Sequence, residues 1–239
     1  MPKSRLDQAL VRRRLVTTRS QGESYVKLGK VTVNGRVETK AGTMVSDEAA
    51  VKLTATEQYV SRAGLKLASV AQILKLDFRA KTVLDVGSST GGFTDYALQH
   101  GATKVLAVEV GTNQLHPSLQ GDPRIELHEK TDIRNFKTSD TIDIVVADVS
   151  FISLRELLPS IAQLVTPATQ LALMVKPQFE AGASNLKHKG VIKNDKIRRQ
   201  ILKDFEDWAL LKFSIQEKAD SEVAGAKGNR ERFYLLKKL

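Results

Sequence analysis

The stretch "QLALMVKPQFEAG", residues 170 to 182, puts a charge where a buried strand leaves the core: Leu171 to Val175 are apolar, Lys176 follows at once, and Pro177 turns the chain. Three other charged residues occupy comparable places. Asp148 follows the apolar run "IDIVVA", Glu231 precedes the last strand-like run, and Lys66 lies in "YVSRAGLKL", on a helical pattern leading into the first such run of the larger domain. Two lysines and two carboxylates around one point suit the activation of a hydroxyl, a poor nucleophile until its proton is removed or polarised. A lysine has a reference pKa of about 10.4, so it must be lowered to act as a base near neutral pH. Desolvation and a second ammonium both lower it, while carboxylates keep two lysines from expelling each other and orient them. In this scheme Lys176 is the base, Lys66 and Asp148 tune and orient it, and Glu231 holds the lysines.

A second group of residues reads as a ligand loop. In "LDVGSSTGGFTD", residues 84 to 95, Gly87, Gly91 and Gly92 follow a strand-like run and open a helical one. Glycine lets backbone approach a ligand closely, and a helix start offers free N–H groups. Gly87 and Gly92 have the spacing of a P-loop, but Phe93 stands where that motif needs lysine, which speaks against a nucleoside triphosphate. The dinucleotide fingerprint is absent because Ser89 fills its second glycine. The pattern Asp85-x-Gly87-x-x-x-Gly91-Gly92 resembles the first motif of the S-adenosylmethionine-dependent methyltransferases. That resemblance implies that Asp85, Gly87, Ser88, Ser89, Gly91, Gly92 and Phe93 surround the cofactor, with Asp85 at its cationic methionine end. Glu109, at the end of "VLAVE", is placed to accept hydrogen bonds from two ribose hydroxyls. Asp132, in "EKTDIRNF", is expected near the end of a short third strand as an acceptor for the adenine amino group, and Asp148 also borders the cofactor.

The elements that must position these residues alternate. "KTVLDVG", "KVLAVEVG", "TIDIVVADV" and "QLALMVKP" are apolar, largely β-branched runs separated by helical patterns. Such alternation predicts a doubly wound, mostly parallel sheet, in which ligands bind outside the carboxyl ends of the strands. Apolar residues at 65, 68, 70, 73, 74 and 76 predict a helix before the first strand. The final strand, Arg232 to about Leu236, brings Glu231 to the same edge if it runs antiparallel, as in methyltransferase folds.

The front of the chain is different. Residues 1 to 60 hold eleven basic against six acidic residues, half of the chain's net charge of +10 in a quarter of its 239 residues. A basic protein commonly meets a polyanion. Leu6, Ala9, Leu10 and Leu15 suit a first short helix, and Thr17 or Thr18 caps a second from Arg19 to Leu28, with Gly29 past its end. "KVTVNGRVET" is a hairpin signal around Asn34-Gly35, and "DEAAVKL" reads as another short strand. Arg5-Leu6-Asp7, Thr18-Arg19, Gly29-x-Val31-x-Val33-Asn34-Gly35 and Lys40 resemble the S4 RNA-binding domain. The resemblance implies structured RNA as ligand, with Lys3, Arg5, Arg19, Lys27, Lys30, Asn34 and Lys40 on its surface. Arg12 to Arg14 read as a further solvated phosphate-contact patch.

Lys66, Asp148, Lys176 and Glu231 match in order the Lys-Asp-Lys-Glu tetrad of FtsJ-like ribose 2′-O-methyltransferases. With the S4-like front, and with "DVGxSTGGFTD", "ADVSFISL", "VKPQFEAG" and "GNxE", the whole chain resembles the TlyA family, often labelled hemolysins. The resemblance implies an α/β, Rossmann-like class I methyltransferase domain over 59–239 behind an S4-like domain over 1–58. It implies S-adenosyl-L-methionine as cofactor and ribosomal RNA, cytidine by family likeness, or a ribosomal subunit as partner. Two other readings are a membrane-active hemolysin and an RNA-binding protein with an inactive methyltransferase fold. There are no cysteines, which excludes disulfides, zinc-thiolate sites and cysteine-dependent base methylation. The histidines at 100, 116, 128 and 188 lack ligand spacing, so no metal is expected, and His128 and His188 are expected at the surface. The start has no apolar signal region and no run approaches the roughly 18 residues of a membrane span, so a cytoplasmic location is expected.

Overall fold

The computed structural model describes residues 3–181, 190–225 and 228–239; the expectation for His188 falls outside them. Two compact units form, Met1–Arg62 and Ala63–Leu239.

The first unit runs β1 (Lys3–Arg5), α1 (Leu6–Arg12), α2 (Arg19–Lys27), β2 (Val31–Val33), β3 (Arg36–Val37), β4 (Met44–Ser46) and β5 (Val51–Leu53). Thr18 caps α2 by accepting the Gln21 N–H. Asn34 (φ +50°) and Gly35 (φ +79°) make the tight turn between β2 and β3, and β5 pairs with β2 on its other side. The antiparallel pair β1–β4 is not legible as a pattern, because three-residue strands show no period. Leu15 does not belong to the first helix. Arg14 turns left-handed (φ +57°), and the next buried apolar residue is Val16.

The second unit continues with α3 (Arg62–Ala71), β6 (Thr82–Val86), α4 (Gly92–Gln99), β7 (Lys104–Val108), β8 (Ile125–His128), β9 (Ile144–Ala147), α5 (Leu154–Leu164), β10 (Gln170–Val175), α6 (Pro177–Glu180), α7 (Asp195–Ala209), β11 (Phe213–Asp220) and β12 (Arg232–Lys238). The sheet order is β11-β12-β10-β9-β6-β7-β8. β12 runs antiparallel between β10 and β11, and β10, β9, β6, β7 and β8 run parallel. Leu84, Leu106, Val145, Leu171 and Leu173 sit in its core; strands covered on both faces read as continuous apolar runs, which is why they were visible in the sequence. The helix before β6 is shorter than its stripe: it ends at Ala71, Lys75 turns left-handed (φ +52°), and Ile73 is thrown outward, 54% exposed.

Strand order reverses at β6, which pairs with β7 on one side and β9 on the other. Val86 lies across from Val108 and from Ala147, so Gly87, Glu109 and Asp148 emerge side by side. Val175 pairs with Arg232, which brings Lys176 and Glu231 to the same edge. This crevice outside a reversal of strand order is where open α/β sheets bind ligands.

Candidate active site

Two adjoining cavities open at that edge. The larger, about 450 Å³, is lined by Glu109, Val110, Gln114, Asp132, Ile133 and Val149 among others. The smaller, about 150 Å³, is lined by Asp85, Ser88, Phe93, Asp148, Ser150 and Lys176 among others. Gly87, Ser89 and Asp148 border both. The glycines make this approach sterically feasible. A Cβ on Gly87 (φ +78°) would lie 3.1 Å from the Asp148 carbonyl oxygen, and one on Gly91 (φ +85°) would lie 2.5 Å from Leu119 Cδ1. Gly91 is the N-cap of α4, and Gly92 and Phe93 begin the helix.

Asp85 is almost wholly buried. One carboxylate oxygen accepts the Thr94 hydroxyl at 2.7 Å; the other has no partner among the described residues, and neither has the buried Ser88 hydroxyl. Burial pushes the Asp85 carboxyl up to about 7, against the pull of the Thr94 hydrogen bond and with the charge of Asp148 adding to the rise. An unsatisfied buried carboxylate oxygen is costly, and Asp85 carries this spare acceptor on the lining of the small cavity.

Glu109 accepts the Ser89 N–H at 2.9 Å on one oxygen and the Gly111 N–H at 2.8 Å on the other. Each oxygen keeps a lone pair for a second donor. Ser89, held left-handed (φ +47°), also donates its hydroxyl to Gln114 at 3.0 Å. Gln114 was not singled out from the sequence. Asp132 lies in the loop past β8 rather than at the strand end. Arg134 grips both its oxygens, at 3.0 and 2.6 Å, and holds its carboxyl below the ordinary range, yet it still lines the larger cavity.

The four charged residues resolve into two pairs, one buried throughout and one with a half-buried carboxylate. Lys176 Nζ lies 2.5 Å from Asp148 and donates to the Ser150 hydroxyl at 2.7 Å. Lys66 Nζ lies 2.5 Å from Glu231. Glu231 therefore holds one lysine, not both, while Asp148 and Ser150 orient the other. Ser150 carried no signal beyond its place in "ADVSFISL".

Phe151 was also missed. It sits left-handed (φ +67°) and 91% exposed, with its ring 5.3 Å from Phe179, whose ring lies 5.9 Å from Lys176 Nζ. A bulky residue at positive φ is strained; here it presents an aromatic face to solvent beside Lys176. An apolar residue with no periodicity around it was the available signal.

In the smaller unit the predicted surface residues divide. Arg5 donates twice to the fully buried Asp7, and Arg19 once, at 2.9 Å. These contacts hold Asp7 ionised below its usual range against its burial, and both side chains remain about half exposed. Lys3, Lys27, Lys30, Asn34 and Lys40 are exposed; Lys27 pairs with Glu23, and the Asn34 side chain accepts the Ala50 N–H. The patch at Arg12 to Arg14 is not simply solvated. Arg13 donates to the carbonyls of Ser46, Asp47 and Ala49, and Arg12 pairs with Asp47. Arg13 thus fastens the loop behind β4.

The sheet order with its reversed β12, the glycine loop and the paired cavities define a class: methyltransferase enzymes of the Rossmann-like α/β type. Comparison with known families and proteins makes the assignment particular. The model of the FtsJ-like methyltransferases matches residues 59–238, and that of the S4 domain matches residues 4–51. The chain belongs to the FtsJ-like methyltransferase family and carries an N-terminal S4 domain. It is 43% identical over 182 residues, 75% of this chain and 71% of the other, to the 23S rRNA (cytidine-2′-O)-methyltransferase TlyA of Campylobacter jejuni. It is 35% identical over 242 residues, 98% of this chain and 90% of the other, to the 16S/23S rRNA (cytidine-2′-O)-methyltransferase TlyA of Mycobacterium tuberculosis. A solved structure carrying the hemolysin label, from Streptococcus thermophilus, is 36% identical with a TM-score of 0.73, covering 100% of this chain and 89% of its own. Among the described residues no helix is long and apolar enough to cross a membrane.

Proposed function

We propose that this chain methylates the 2′-hydroxyl of a ribosomal RNA nucleotide, cytidine as in its named relatives, using S-adenosyl-L-methionine. The observation that carries the reading is the Lys176–Asp148 pair, 2.5 Å apart, where a cavity with an unsatisfied carboxylate meets a larger one. The orphaned Asp85 oxygen and the Ser88 hydroxyl suit the methionine end, Glu109 the ribose hydroxyls, and Asp132 the adenine edge. The cofactor supplies an electrophilic methyl group when bound.

The chain's own residues then act on the RNA hydroxyl. Lys176 takes its proton, with Asp148 and Ser150 fixing the direction of Nζ. Lys66, tied to Glu231, places a second positive charge at the same edge. Methyl transfer is an in-line displacement that depends chiefly on positioning. In this reading residues 59–239 perform the chemistry, residues 1–58 dock the RNA, and the work is done on ribosomes in the cytoplasm. Mass mapping of ribosomal RNA nucleotides from cells with and without the gene tests the reading. One ribose methyl lost on deletion and restored by the wild-type chain, but not by Lys176→Ala, is expected. An unchanged map, or liposome leakage by purified protein that survives Lys176→Ala, overturns it.

Two further results follow from the same reading. Phe151→Ala is expected to lower methyl transfer about tenfold or more at subsaturating RNA while S-adenosylmethionine binding stays unchanged, because base–aromatic stacking is worth about 1–3 kcal/mol. Cofactor calorimetry beside a methyl-transfer assay checks it. Arg19→Ala is expected to weaken ribosomal RNA binding and to flatten its salt dependence by about one unit of slope, the loss of one phosphate contact. Filter binding across a salt series reads both.

A further inference from the structure

We propose that Asn229 is a positioning residue for the Lys66–Glu231 pair. The proposal rests on the reading of Glu231 as part of the active site and extends it to the loop that carries it. Asn229 is almost fully buried and lines neither cavity. Its side-chain oxygen accepts the Ile192 N–H at 2.9 Å, and its amide donates to the Gly190 carbonyl at 2.8 Å. One amide thus satisfies a main-chain donor and a main-chain acceptor two residues apart. A carboxylate in its place cannot donate, and an alanine does neither.

The main chain around Asn229 is fastened at three successive residues. The Asn229 carbonyl accepts the Gly225 N–H at 2.9 Å, and the Glu231 carbonyl accepts the Ser221 N–H at 3.0 Å. Between them, the Arg230 carbonyl accepts Arg198 Nε at 3.0 Å. Arg198 is itself buried and bound to Asp220 at 2.7 Å. The same loop reaches the other partner of the pair: the Glu222 N–H donates to Ser69 Oγ at 3.3 Å, and Ser69 Oγ donates to the Lys66 carbonyl at 2.7 Å. Gly225 packs on the carboxylate itself, since a Cβ there would lie 2.7 Å from Glu231 Oε1. Glu231 is therefore held by its own carbonyl, by the fastened carbonyls of the two residues before it, and by Gly225 against its carboxylate. Asn229 is the side chain that anchors this mount to the segment beginning at Gly190. An ion pair at 2.5 Å has little tolerance, and misplacement by about 1 Å in an active site costs on the order of a hundredfold in rate.

The test uses the full chain, S-adenosylmethionine and ribosomal RNA from cells lacking the gene. Single-turnover methyl transfer, cofactor calorimetry and thermal melting are measured for Asn229→Ala, Gly225→Ala and Glu231→Gln, and for the two double variants with Glu231→Gln. Asn229→Ala and Gly225→Ala are each expected to slow transfer about tenfold to a hundredfold at saturating RNA and cofactor. Cofactor affinity should stay within about twofold. In the Glu231→Gln background each should add less than about twofold, because residues acting through one group are not additive. Gly225→Ala probes the mount without removing the Asn229 bonds, so the outcome does not hinge on one variant's folding. Losses that multiply in the double variants, or that fall on cofactor binding, overturn the positioning role alone. Full activity of Glu231→Gln overturns the assignment of Glu231, and the proposal with it.

Discussion

Lys176→Ala is expected to reduce methyl transfer to ribosomal RNA about a thousandfold while the protein still binds S-adenosylmethionine. A positioned general base contributes roughly 10²–10⁴ in rate, and Lys176 is the amine that meets both the Asp148 carboxylate and the Ser150 hydroxyl. The alanine also leaves Asp148 without its cation, so a melt of the variant belongs beside the rate. Lys176→Arg separates the roles. A guanidinium can restore the charge beside Asp148 but is never deprotonated in proteins. It is expected to recover stability and to stay inactive. Single-turnover transfer within about tenfold of wild type for Lys176→Arg would show that the residue supplies charge and not proton removal. Lys66→Ala is expected to be milder, since its ammonium pairs with Glu231 and lines neither cavity.

Cofactor affinity should rise with pH and level off near neutrality, and Asp85→Asn should both weaken and flatten that dependence. In the free protein burial pushes Asp85 up to about 7, so below that pH its carboxyl is largely protonated. A cofactor ammonium in the small cavity favours the ionised form. Binding below about pH 7 therefore has to expel a proton, and affinity gains about tenfold per pH unit up to that point. Asp85→Asn removes the charge-assisted bond, worth roughly 1.5–3 kcal/mol, so cofactor binding should weaken about 10- to 150-fold above neutral pH. The stability of the free protein moves the other way. A carboxyl whose folded pKa is raised stabilises the fold when protonated, and that contribution is lost as pH rises through about 7. Asp85→Asn is thus expected to melt no lower than wild type at pH near 8, despite its weaker binding. Calorimetry across pH 5.5 to 8.5 with melts at both ends is the measurement; a flat wild-type affinity would remove Asp85 from the cofactor site.

How much of this was legible before the structure depends on the range of the physics involved. β6, β7, β9 and β10 were readable because strands buried on both faces must be apolar throughout. The positions of Gly87, Glu109, Asp148 and Lys176 then follow from being next in sequence. The turn at Asn34-Gly35 and the cap at Thr18 are one-residue decisions of backbone sterics and hydrogen bonding. The membership of the tetrad came from resemblance, with Glu231 placed by supposing β12 antiparallel, as it is.

Its pairing was another matter. Lys66 and Glu231 lie on an early helix and ahead of the last strand, and which carboxylate each lysine meets is settled by side-chain directions over a few ångströms. No local pattern encodes that. The same holds for Asn229, whose partners are main-chain groups at Gly190 and Ile192, and for Arg13, which looked like a free cation and proved to be a fastener of carbonyls. Phe151 needed the fold for a further reason: nothing in the sequence tells an apolar residue pushed out by a left-handed backbone from one turned in. The sequence by itself determined the sheet and the glycine loop, since each is written in contiguous residues. Only tertiary packing decided which groups touch, because contacts between distant segments are set by how the elements pack.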